Sequence, residues 1–178
     1  MHFQGAGDLL GVGRVVLPSD VSGFSAPRVA ECQPCAKSKE YNMKFKPQLT
    51  QQDVSLVMNA ARTEAQRNLW AVTVVVVDDG GHPLALERLD RCAPAGAYVA
   101  MEKARTAALA RCESGLLEQR INSGRTALLS SPLSGMLEGG VPIVIEGEVV
   151  GAIGVSGAKP DQDAQVAKAG AAAAIANA

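Results

Sequence analysis

Aromatic residues are scarce in this chain. Three Phe, two Tyr and one Trp make up 3% of its 178 residues. A stacking platform for nucleic-acid bases is therefore not expected, and the core must be built from Ala, Val, Leu and Ile. Net charge is also lacking: the formal value is -1, which argues against general binding to nucleic acid or to a membrane surface. No apolar run reaches the roughly 18 residues of a membrane span. A basic segment followed by an unbroken apolar stretch is missing near the N-terminus, where Arg14 interrupts the one candidate. No signal peptide is expected, and hence a cytoplasmic location.

The four cysteines give little chemistry. Cys32-Gln-Pro-Cys35 has the spacing of a redox pair. Its flanks are a Pro-containing loop and Lys37-Ser38-Lys39-Glu40, rather than the strand and helix N-terminus that would lower a thiol pKa. Cys92 and Cys112 are too far apart to complete a zinc ribbon. Free thiols in a reducing compartment, and no metal site, are expected.

What the chain does have is 47% hydrophobic residues, enough for one domain with a real core. Residues 1–42 read as an irregular arm, rich in Gly, Pro and Ser. Gly5-Ala6-Gly7 there has no preceding strand and misses the dinucleotide spacing. Residues 43–178 read as the folded domain. Thr50-Gln51-Gln52-Asp53 is a capping-box start, and Val54, Val57, Met58, Ala61, Ala65 and Leu69 follow helical spacing. Val72 to Val77 is a buried strand. It turns at Asp78-Asp79-Gly80-Gly81 into a second strand, from about Pro83 to Leu89. Leu84, Leu86 and Arg88 share one face of that strand, placing Arg88 at the edge of the core, where its charge needs a partner.

Pro94 opens a long helix to about Arg111, with Ala97, Ala100, Ala104 and Ala108 as its close-packing face. A short helix from Leu116 to Asn122 ends at Gly124. A loop from Leu128 leads through Gly139-Gly140 into a second hairpin, Val141 to Ile145 and Val149 to Ser156, turning at Glu146-Gly147. Val150, Ala152, Gly154 and Ser156 lie on one face of its second strand. That face shrinks towards Ser156 and invites close approach by a helix, a second subunit or a ligand. Pro160 begins a last helix, with Asp161 and Asp163 favourably placed in its first turn. Two hairpins covered by helices make an α+β fold with a mainly antiparallel sheet, not a doubly wound one.

Several ordered blocks resemble the GlcG/HbpS-like family, the haem-degrading domains that include the C-terminal part of some corrinoid adenosyltransferases. They are Val75-Val76-Val77-Asp78-Asp79-Gly80-Gly81-His82, Glu87-Arg88-Leu89-Asp90, Glu102-Lys103-Ala104-Arg105-Thr106-Ala107, Gly139-Gly140-Val141-Pro142, Gly147 to Gly157, and Gln162-Asp163. The resemblance covers residues 49 to 175. It implies a profilin-like central antiparallel sheet flanked by helices, and homo-oligomers with pockets near subunit interfaces. It also implies functions ranging from haem binding to lyase action on arylhydroxylamines such as 4-hydroxylaminobenzoate.

Two chemistries compete. The first is a metal-independent carbon–nitrogen lyase that acts on a small organic anion, releases ammonia and needs no cofactor. Tyr98 and Glu102, one helical turn apart, are its candidate acid and base, with Lys103 as the cation beside them. Arg88, Arg105, Thr106, Gly139, Gly140 and Ser156 are its candidate substrate-binding residues, an Arg being able to clamp a carboxylate. The second is haem binding, with Tyr98 or the turn residue His82 as iron ligand and Arg88 or Lys103 at the propionates. A non-catalytic structural oligomer is a third class. Glu102, Lys103 and Arg105 also suit plain surface ion pairs, and the glycines also suit turns and helix packing.

Overall fold

The structure, a computed structural model, describes residues 46–176. The N-terminal arm and the Cys32–Cys35 pair lie outside these residues. The chain order is α1 (Gln51–Arg67), β1 (Thr73–Asp78), β2 (Pro83–Arg88), α2 (Ala95–Ala110), α3 (Ser114–Asn122), a 3-10 turn (Thr126–Ser130), β3 (Gly140–Ile145), β4 (Glu148–Ser156) and α4 (Pro160–Ile175). The four strands form one sheet in the order β2-β1-β4-β3, and every neighbouring pair is antiparallel. The α+β architecture read from the two hairpins is therefore correct, and β1–β4 pairing joins the hairpins into one sheet.

Local chemistry explains the elements. Thr50 caps α1 through a reciprocal capping box with Asp53. Val74 and Val76 face α1 and α4, while Val75 and Val77 face α2. Being buried on both faces, β1 reads as a continuous apolar run. One layer holds Val54, Val57, Ala61, Val166 and Ala171 of α1 and α4. The other is almost all alanine: Ala100, Ala104, Ala107 and Ala108 of α2, with Ala152 of β4.

Two details correct the sequence reading. Pairing shifts so that Ile143 faces Gly151 while Val144 faces Val149, which leaves Val150 as an extra residue on β4. This bulge turns Val150 into the core with Ile153 and Val155, rather than onto the face of Ala152 and Gly154. Leu69, expected to extend the apolar stripe of α1, lies beyond the helix and is 89% exposed.

Candidate functional site

Helix α2 carries five of the residues singled out by sequence, but it sends them to different places. Lys103 points into the protein and is only 4% exposed. Its Nζ donates to Asp163 Oδ2 at 2.8 Å and to the Val155 carbonyl at 3.0 Å. The other Asp163 oxygen accepts from the Ala158 backbone N–H at 3.0 Å. Lys103 therefore joins α2 to the end of β4 and to the first turn of α4. A lysine held this way cannot reach a substrate or a haem propionate, which corrects both roles proposed for it. Asp163 does more than favour the helix dipole: it is the buried counter-charge that such a lysine requires.

Thr106 is also buried, and its Oγ1 accepts from the Gly135 N–H at 3.1 Å. Ser114, which the sequence reading passed over, accepts from the Gly140 N–H at 2.8 Å and donates to the Leu137 carbonyl. These bonds fix the loop that leads into β3. A Cβ added at Gly140 would overlap the Lys103 carbonyl, and one at Gly154 would overlap the Ala100 carbonyl and the Ala104 amide. Gly139 holds a φ of +119° beside the Lys103 ammonium. The small-residue face thus admits the backbone of α2, not a ligand. Ser156 is half-buried, and its carbonyl accepts from Cys92 Sγ at 3.7 Å.

The remaining candidates lie outside. Tyr98 is 79% exposed. Glu102 pairs with Arg105 at 3.1 Å, and Arg105 also donates to the Gly81 carbonyl. Arg88 is exposed, as are Leu84 and Leu86 on the same face of β2, so it lies on the solvent side of the strand rather than at the core edge, and no ion pair reaches it among the described residues. Tyr98 and Glu102 make no hydrogen bond to each other, and Lys103 is buried away from both. An acid–base–cation constellation is not assembled within one chain.

The β1–β2 turn, where the sequence offered His82 alone as a candidate ligand, holds a constellation built with Asp78. Asp78 Oδ1 accepts from the backbone N–H groups of Gly80 at 2.9 Å and His82 at 2.8 Å. His82 Nδ1 lies 3.2 Å from both Asp78 carboxylate oxygens. Desolvation alone would raise the Asp78 pKa. The backbone and side-chain bonds from His82, the backbone bond from Gly80 and the charge of His82 outweigh it, holding the carboxyl below its usual value. The imidazole is thereby braced through Nδ1, leaving Nε2 free on a side chain that is 78% exposed. A carboxylate behind a histidine fixes the orientation of the ring, the arrangement common behind metal-bound imidazoles. An acidic residue four positions before a histidine, across a Gly-Gly turn, was the available signal.

With this geometry in view, the comparisons decide the family. The model of the haem-degrading HbpS-like proteins matches residues 49–172. The chain belongs to the HbpS-like family. Protein GlcG of Escherichia coli K12 is 55% identical over 114 residues, spanning 64% of this chain and 85% of GlcG. A double mutant of Streptomyces reticuli HbpS has a TM-score of 0.68 at 32% identity, covering 78% of this chain and 94% of that one. A haem complex of PduOC has a TM-score of 0.66 at 26% identity, covering 71% and 95%. The expectation that no cofactor is required is overturned by these findings. The HbpS-like family is described by haem degradation, and one structure with this fold is a haem complex. Nothing among the relatives supports an arylhydroxylamine lyase. No helix among the described residues is long and apolar enough to cross a membrane.

Proposed function

We propose that this protein is a haem-binding member of the HbpS-like family, with His82 as the iron ligand from this chain. The observation that carries the reading is the likeness to a PduOC structure solved with haem. The donor set fits the group. Haem iron takes imidazole or phenolate, and His82 and Tyr98 both lie exposed. Asp78 favours His82, because it orients the ring and leaves Nε2 as the donor. Leu49, Leu84 and Val150 share a small depression with Gln48, Asp78 and Asp79, a mixed surface beside the turn. Arg88 stands at the far end of β2 from His82 and is not the propionate cation of a haem held there. Bound haem would supply one-electron and oxygen chemistry that these side chains do not have.

The test is a haemin titration of the whole protein, followed by visible absorption. A saturable Soret band that is lost in His82→Ala and kept in Tyr98→Phe is the expected result. Loss in Tyr98→Phe alone would transfer the ligand role to Tyr98. Uptake that never saturates would end the haem reading.

A further inference from the structure

A cleft of about 500 Å³ opens at the other end of the β1–β2 hairpin from His82. It lies where the loop between α1 and β1 meets the loop between β2 and α2, the two being tied by the Leu89 N–H to the Val72 carbonyl. Gln66, Leu69, Trp70, Leu89, Asp90 and Arg91 line it. Trp70 is the single tryptophan of the chain. It is half-buried, packing partly on the core of α1 and α4 while lining the cleft.

The rim contains residues that folding alone does not favour. The Trp70 N–H bonds to the Ala65 carbonyl and the Leu69 N–H to the Gln66 carbonyl, so α1 ends in a Schellman motif. Glycine suits the left-handed position of that motif, yet Leu69 stands there at φ 60° with its side chain in solvent. Opposite it, the Cys92 N–H bonds to the Leu89 carbonyl, closing a turn whose third residue is Arg91 at φ 68°. Glycine is again the easy residue for that conformation. Only four non-glycine residues have positive φ among the described residues, and two of them line this cleft. Strained backbone gathered at one concave site points to function. The charges are also uncommitted: neither Asp90 nor Arg91 makes a side-chain hydrogen bond or ion pair among the described residues.

We propose that this cleft binds a small planar aromatic carboxylate carrying a hydrogen-bond donor. The ring lies against the Trp70 indole and the Leu69 side chain, Arg91 takes the carboxylate, and Asp90 accepts from the donor. Its single guanidinium, with an acid beside it, selects a monoanion over a dianion. This places small-anion binding here rather than along Tyr98, Lys103 and Arg105, and it does not depend on haem.

The single indole is the reporter. The whole protein, labelled with nitrogen-15 and free of haem, is titrated with 4-hydroxybenzoate while the indole N–H resonance is followed. A saturating shift is expected. It should weaken at least about tenfold in Arg91→Gln, and equally when the neutral 4-hydroxybenzyl alcohol replaces the acid. Leu69→Gly should weaken it while leaving the fold intact, and His82→Ala should leave it unchanged. A resonance that does not move overturns the proposal, and so does equal affinity for the alcohol. A shift that follows protein concentration alone would make the cleft an interface between copies and would also overturn it.

Discussion

Two side-chain pairs in this protein, each built on an aspartate and a nitrogen base, are placed oppositely. Lys103 and Asp163 come from positions 60 residues apart and meet with side chains only 5% and 4% exposed. Asp78 and His82 are four residues apart on a turn, with side chains 37% and 78% exposed. The buried pair is committed inward, since the Val155 carbonyl takes a second Lys103 N–H and the Ala158 N–H occupies the other Asp163 oxygen. The exposed pair leaves one imidazole nitrogen open to solvent. Sequence alone drew attention to Lys103 because it carries charge within a helix motif. Burial decides instead that Lys103 is architectural and that His82 is available.

The sharpest break of this comparison is Lys103→Met. It leaves the Asp163 carboxylate buried without its cation, and a loss of about 3–5 kcal/mol is expected in denaturant unfolding. Lys103→Met combined with Asp163→Leu should recover much of that loss, because an apolar pair needs no counter-charge. If Lys103→Met retains full stability, the ammonium was never committed to Asp163, and a functional role for it reopens.

The next largest effect belongs to the glycines around that pair. Gly154→Ala forces a methyl onto the Ala100 carbonyl and the Ala104 amide. Helix α2 must then lift from the sheet, at about 1–3 kcal/mol or more. Haemin binding at the distant turn should persist in the fraction that folds. Haem loss with unchanged stability would mean that Gly154 faces a ligand after all.

Much of the fold was legible because its signals are local. Glu146-Gly147 and Asp78 to Gly81 announce hairpins, Thr50 and Asp53 announce a helix start, and β-branched Val74 to Val77 announce a strand buried on both faces. The site was less legible because it depends on distance in space. Nothing near Lys103 in sequence names Asp163 as its partner. Alternation assigned Val150 to the wrong face because the bulge is set by pairing with β3. Leu69 matched the helical period and fell outside the helix, because the Schellman turn ends α1 first. Small residues in β4 promised a close approach, but not by what.

The smallest stability effect should come from Asp78→Asn, and it separates the two pairs most cleanly. The folded Asp78 carboxyl titrates below its usual value. Its contribution is therefore present above the ordinary carboxylate pKa and is lost as pH falls through the lowered one. Asp78→Asn should be slightly less stable than the parent near neutrality, by less than about 1 kcal/mol for a pair this exposed. The two proteins should converge in acid, as unfolding curves collected across pH would reveal. The same substitution removes the brace behind His82, where loss of a carboxylate behind a ligand commonly weakens metal binding by about 10–100-fold. A large fall in haemin affinity with almost no change in stability is the pattern that a ligand-presenting pair must give. A large fall in stability with unchanged haemin affinity would make Asp78 and His82 a second architectural pair, and the contrast with Lys103 and Asp163 would disappear.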